Sequence, residues 1–216
     1  YSSPHQMNFG DSQQVAIVTD EGLTLLDPTN GTVLVEHSWP HSGYRALQPC
    51  VVGNQQIVIP TGMGTGTRLL EIDVESANWS VKEIWTTKNL KSDFNDLLVY
   101  KGHLYGFDDS IFTCIDLATG DRKWKRGRYG KGQSLLLPEE NLIMVLSEQG
   151  KMVVLKTDPT THQELASLQM LNGKTWNHPV LVGNKLYIRN SEEAACYLLP
   201  AKESGRKVSL IERNQP

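Results

Sequence analysis

Along this chain, short runs of β-branched and aliphatic residues alternate with polar, turn-forming segments. Val15-Ala16-Ile17-Val18, Ile57-Val58-Ile59, Ile143-Met144-Val145-Leu146 and Leu186-Tyr187-Ile188 are such runs, each bounded by Gly, Asn, Asp or Pro. Their length and composition predict strands. The turn chemistry ahead of them also recurs. Gly53-Asn54, Lys101-Gly102, Glu139-Glu140-Asn141 and Gly183-Asn184 each precede a strand, as hairpin loops with positive φ require. The best helical candidate is a short stretch near Glu164-Leu165-Ala166. Strand after strand without crossover helices predicts antiparallel sheet.

Regular strands call for a test of internal repetition. The first strong apolar position of each second strand falls at Val15, Ile57, Leu104, Leu142 and Leu186, at intervals of 42, 47, 38 and 44. A second marker, aligned with an Asp after an apolar run, falls at Asp27, Asp73, Asp116, Lys156 and Leu199, at intervals of 46, 43, 40 and 43. Both markers share a period near 43, and five such units account for the 216 residues. Four-stranded propeller blades repeat every ~40–50 residues. The pattern therefore predicts an all-β fold, a β-propeller of four-stranded antiparallel blades with about five blades in this chain. One repeat region spans 1–216, with blades at approximately 1–40, 41–88, 89–127, 128–171 and 172–216.

The unit from Asn95 to Arg126 is the clearest. Val99 to Phe107 reads as strand, turn and strand, Ile111 to Asp116 as a third strand, and Ala118-Thr119-Gly120-Asp121 as the turn into a fourth that carries Trp124. In the segment Cys114-Ile115-Asp116-Leu117-Ala118-Thr119-Gly120-Asp121-Arg122-Lys123-Trp124, the Asp suits turn amides, the Gly suits positive φ, and the Trp suits a flat contact between blades. This segment resembles the tryptophan-docking motif of quinoprotein propellers. Asp27-Pro28-Thr29-Asn30-Gly31 repeats the turn with Val35 in place of the Trp, the Asp73 unit keeps Trp85 after a longer turn, and the last two units have lost most of the motif.

On these residues the chain resembles the PQQ-like β-propeller repeat family, the superfamily of BamB-like and quinoprotein alcohol dehydrogenase-like proteins. The resemblance implies export to the periplasm or secretion. It also implies a seven- or eight-bladed ring, of which five units would be a part; a closed five-bladed ring is the alternative. An unclosed array exposes apolar blade faces and needs a covering partner or the missing blades.

Composition narrows the function. A net charge of −3 argues against a dedicated nucleic-acid binder, and no apolar run approaches the ~18–20 residues of a transmembrane helix. Cys50, Cys114 and Cys196 are far apart and odd in number, which fits small buried thiols better than a disulfide framework or a CxxC metal pair. The polar start, Tyr1-Ser2-Ser3-Pro4-His5, carries no signal peptide and reads as a processed or excised chain, so the missing leader says nothing of where the parent protein resides.

Catalytic constellations are thin. His37 and His41 are separated by Trp39-Pro40, which excludes a shared helical face. No GxSxG or HExxH occurs. Asn30-Gly31-Thr32 and Asn78-Trp79-Ser80 fit the glycosylation sequon, a pattern common by chance. The family resemblance raises PQQ with calcium, but the vicinal cysteines and the Glu-Asn-Asp set that quinoprotein dehydrogenases use have no counterpart here. No cofactor, metal site or catalytic residue is predicted. Gly62-Met63-Gly64-Thr65-Gly66-Thr67 is followed by a strand instead of the helix a phosphate loop requires, and reads as a hairpin tip with Arg68 available for an anion. Arg122, Lys123, Lys125, Arg126, Arg128 and Lys131 put six cations in ten residues on a fourth strand. There they fit protection of a sheet edge, with a polyanion site as the alternative.

The polar clusters just before the first strand of several blades say more, because that strand lines the central channel. They comprise Arg45 and Gln48, Asn95 and Asp96 after Phe94, Arg128, Tyr129 and Gln133, and Trp176, Asn177 and His178. With Arg68 they form the candidate ligand-binding face; the alternative is that these groups satisfy one another and channel waters. The sequence thus favours a non-catalytic, exported scaffold that binds a protein or small polar ligand. The second reading is a fragment of a quinoprotein-like or carbohydrate-directed enzyme with catalytic groups outside this segment.

Overall fold

The computed structural model describes residues 1–10, 12–74 and 79–200. Asn78 of the second sequon and the segment from Ala201 onward, the end of the fifth repeat, lie outside the described residues. Among the described residues every regular element is a strand. The first sheet is β1 (His5–Phe9), β2 (Ser12–Thr19), β3 (Gly22–Leu26) and β4 (Val33–Ser38). The second is β5 (Cys50–Val52), β6 (Gln56–Thr61), β7 (Gly66–Asp73) and β8 (Ser80–Thr87). The third is β9 (Leu98–Tyr100), β10 (His103–Asp108), β11 (Ile111–Asp116) and β12 (Arg122–Arg128), and the fourth is β13 (Gln133–Leu137), β14 (Leu142–Leu146), β15 (Lys151–Lys156) and β16 (Glu164–Gln169). The fifth holds β17 (Val180–Val182), β18 (Lys185–Arg189) and β19 (Ala194–Leu198) among the described residues. Strands pair in chain order and antiparallel throughout.

The hairpin loops obey the turn chemistry. Lys101 (φ 45°) and Gly102 (φ 75°) both adopt the left-handed conformation a type I′ turn needs, and Asn141 (φ 57°) does the same one sheet on. The stretch near Glu164-Leu165-Ala166, read above as the best helical candidate, is instead strand β16. Its alternation, with Ala166 and Leu168 half-buried between exposed neighbours, is a two-residue period, and three residues are too few to define a helical one.

Alternation also explains how the sheets stack. Ile57, Ile59, Leu70 and Ile72 of the second sheet join Ala16, Val18, Leu23 and Leu25 of the first in one apolar core. Val58 and Leu69, one position off, face the third sheet with Leu104 and Ile115. Tyr105, Phe107, Phe112 and Trp124 then pack on Ile143, Val145, Val153 and Leu155, and Met144, Leu146 and Met152 on Leu186 and Ile188. Each inner sheet is therefore apolar on both faces, which is why its strands read as continuous hydrophobic runs. Among the described residues, none of these four cores joins the first sheet to the fifth, and Val180, Val182, Tyr187 and Leu198 of the fifth are exposed.

The tryptophans tie successive sheets together. Trp85 Nε1 donates to Leu117 O of the third sheet (2.9 Å), and Trp124 Nε1 donates to Asp158 O of the fourth (2.8 Å). The Asp116 turn supplies the landing site. Asp116 Oδ1 accepts from the Ala118 and Thr119 amides, and Gly120 turns back at φ 73°. A Cβ on Gly120 would sit about 3.1 Å from the Trp85 ring, so this glycine serves both the turn and the docking contact. Burial raises the Asp116 pKa, but the two amides and Lys123 outweigh it and hold the carboxyl below its usual range.

Candidate functional site

Antiparallel order fixes which segments share an end of the array. The turns between second and third strands and the connectors between sheets emerge together, so every residue of the predicted binding face lies at that end. The side chains there have distinct tasks.

Arg45 is 2% exposed. Its guanidinium donates to Thr61 Oγ1 (3.1 Å), Thr19 O (2.5 Å), Asp20 O (3.2 Å) and Trp39 O (2.5 Å), locking the first connector to both flanking sheets. Burial lowers its pKa. Gln48, with its amide turned to suit its neighbours, bonds the Ser3 backbone through both amide atoms. Arg68 lies on β7 over the Trp39 ring at 4.2 Å and pairs with Glu83 (3.2 Å), Thr86 Oγ1 (2.7 Å) and His37 Nε2 (2.9 Å). These three groups are structural ties of the first two sheets. Gly62 to Thr65 form the hairpin tip between β6 and β7.

Arg128 is exposed at the last position of β12. Tyr129 is buried in the core between the third and fourth sheets, where its hydroxyl donates to Glu164 Oε1 (2.6 Å) and meets His162 Nε2 (2.9 Å). Burial, with Glu164 next, raises its pKa. Four other cations of the basic stretch, Arg122, Lys123, Lys125 and Lys131, are engaged. Arg122 (3.1 Å), Lys125 (2.5 Å) and Lys91 converge on the carboxylate of Asp108, whose side chain is fully buried; Lys123 pairs with Asp116 (3.4 Å), and Lys131 with Asp93. These pairings commit much of the basic stretch to internal ties.

What remains comes together across the third, fourth and fifth sheets. Asn95 is fully buried and donates to Gly132 O (2.5 Å). Gln133, also buried, donates to Phe94 O (3.1 Å) and Trp176 O (3.2 Å), so one amide ties three sheets. The acceptor oxygens of both, Asn95 Oδ1 and Gln133 Oε1, have no partner, nor does buried Ser134 Oγ. Above them Trp176, 43% exposed, packs against Phe94 with ring centroids 5.1 Å apart. Its Nε1 donates to Glu148 Oε1 (2.9 Å), and Lys174 stands over its ring at 4.5 Å. His178 Nε2 lies 3.5 Å from Asp96 Oδ2, with both side chains about half exposed, and Asn177, between Trp176 and His178 in sequence, is half-buried.

Glu148 is the residue that sequence reasoning missed. It lies in the turn after β14, accepts from the Lys131 amide (3.1 Å) as well as from Trp176, and so orients the exposed ring. The one available signal was its place in a second-to-third-strand turn, which shares the end with the connectors. The two carboxylates of this cluster are already engaged, Asp96 by His178 and Glu148 by Trp176 and the Lys131 amide, and among the described residues no group of three or more His, Cys, Asp or Glu could hold a metal. Burial pushes the thiols of Cys50 and Cys114 up to about 12, away from nucleophilic use. Among the described residues no helix is long and apolar enough to cross a membrane.

The family model described as outer membrane protein assembly factor BamB matches residues 1–126. Among solved structures, the computationally designed Ika8 protein superposes with a TM-score of 0.65 at 15% identity, over 90% of this chain and 58% of that one. BamB from Moraxella catarrhalis aligns with a TM-score of 0.48 at 13% identity, over 88% of this chain and 70% of its own. No curated protein matches. At 15% identity the likeness to the designed protein is one of fold.

Proposed function

The chain belongs to the BamB-like family of PQQ-type β-propeller repeat proteins, and we propose that it is a non-catalytic scaffold that binds a protein partner through the Phe94–Trp176 face. The observation that carries this is the half-exposed indole of Trp176, held by Glu148 on one edge and by Phe94 on its flank. A large aromatic fixed in place but left open to solvent has the character of an interface anchor, since Trp loses little conformational freedom on binding. Asp96, Asn177 and His178 supply the polar rim. The buried acceptors of Asn95 and Gln133 are closed to a partner's own groups and take a hydrogen bond from water that bridges toward the face. Membership of the family supports a place in the periplasm or outside the cell.

The test is site-specific photo-crosslinking in cells, with the photoreactive residue in place of His178. A discrete protein adduct, lacking when the same residue replaces Lys185 at the opposite end of the array, is the expected result. Identical adduct patterns from both positions would sink the assignment of this face.

A further inference from the structure

The docking tryptophans occupy one register position. In each four-stranded sheet whose third and fourth strands are described, the pair just before a register shift is Leu25↔Val35, Leu69↔Trp85, Cys114↔Trp124 and Val154↔Ala166. The fourth sheet therefore carries alanine where the second and third carry an indole. A cavity of about 350 Å³ opens at that place, between the fourth and fifth sheets, and Ala166 lines it. Its other walls include Met144, Met152, Met170, Leu168 and Leu186, which continue the apolar core between the two sheets. Three of the chain's five methionines face one space.

We propose that this cavity is a binding site for a flat, two-ring aromatic group with one N–H donor, an indole or its equivalent. The chemistry argues for this class. The two sibling positions show which group the interface between sheets accommodates, and both indoles donate to the backbone of the following sheet. The equivalent acceptor here is Leu199 O at the rim, which accepts one bond from Asn184 Nδ2 (3.3 Å) and keeps a second lone pair. Leu199 N bonds to Asn184 O as Leu117 N bonds to Gly102 O, and Leu117 O is the acceptor of Trp85. Methionine thioethers make favourable contacts with aromatic rings and adapt to their outline. A dry apolar cavity of even ~150 Å³ takes up benzene, so this volume is ample for indole.

The experiment titrates the full chain with indole while following thermal unfolding and the methyl resonances of Met144, Met152 and Met170. Saturable stabilisation of about 3–5 °C at ten times Kd is expected, with shifts concentrated on those three methyls. Ala166→Trp should weaken indole binding by at least about tenfold. If that variant does not fold, the methyl shifts of the unaltered chain decide. No saturable effect up to the solubility of indole would overturn the proposal, as would shifts elsewhere or unchanged affinity in a folded Ala166→Trp protein. Contacts of the Val208, Leu210 or Ile211 methyls with Met152 and Leu168 in the free protein would also overturn it, by placing the chain's own terminal segment in the cavity.

Discussion

Removing the ring of Trp124 tests how the sheets are held to one another. The side chain is 8% exposed, lies against Tyr105, Phe112 and His162 at centroid distances of 6.0, 6.2 and 5.3 Å, and donates to Asp158 O across the interface between the third and fourth sheets. Trp124→Ala loses the transfer free energy of the indole and leaves a cavity that the flanking aromatics fill only in part. Together these effects cost about 3–5 kcal/mol. For a chain of this size each kcal/mol moves Tm by roughly 2–4 °C, so a fall of about 6–20 °C is expected. Trp124→Phe keeps most of the apolar contact and removes the hydrogen bond, worth about 1 kcal/mol. Urea titrations of both variants, with the midpoint and slope fitted separately, give the comparison. Hydrogen exchange should quicken most in β14 and β15, because neighbouring repeats support each other through their interfaces. A Trp124→Ala protein within about 0.5 kcal/mol of the parent would refute the docking account, as would equal effects of the two substitutions.

Three further outcomes follow from the site. Arg45→Met leaves Thr61 Oγ1 and three backbone carbonyls without their shared donor and should destabilise by about 2–4 kcal/mol in urea, marking Arg45 as a tie and not a ligand group. Asp108→Asn leaves Lys91, Arg122 and Lys125 facing a neutral amide and should cost about 3–5 kcal/mol by the same assay; a loss under 1 would deny the convergence of these cations. His37, His41 and His162 each have a pKa lowered first by burial, so the unfolded chain binds more protons as pH falls. Their stabilising effect is complete above about pH 6.5 and declines below it, whereas the depressed carboxylates of Asp27, Asp116 and Asp158 lose theirs only below about pH 4. Tm should therefore drop between pH 7.5 and 5.5, and His162→Gln should flatten that drop; an unchanged slope would contradict the assignment.

The strands, their turns and the period were legible because they depend on local patterns. Lys101-Gly102 shows the turn in two residues, and Asp116 to Trp124 shows a whole docking segment. The shared end of the candidate residues was legible too, since the phase of the repeat sets it. The direction of individual side chains was not. Tyr129 stands at the same phase as Phe94 and Trp176, but only residues 129–132 separate β12 from β13, and the short connector keeps its ring in the core between sheets beside Glu164. Apart from Trp39 O, six positions from Arg45, the partners of Arg45 and Asp108 lie 14 to 26 positions away, which no periodicity specifies. Glu148 orients Trp176 from 28 positions away for the same reason.

The most direct test of the binding face replaces Trp176 with Ala and measures the His178-position crosslink and the thermal transition on the same protein. A face built for a partner predicts loss of the adduct with Tm within about 2 °C of the parent, since a half-exposed side chain supports little of the fold. A cluster whose members only satisfy one another predicts the reverse: a fall of several degrees with the crosslinking pattern unchanged.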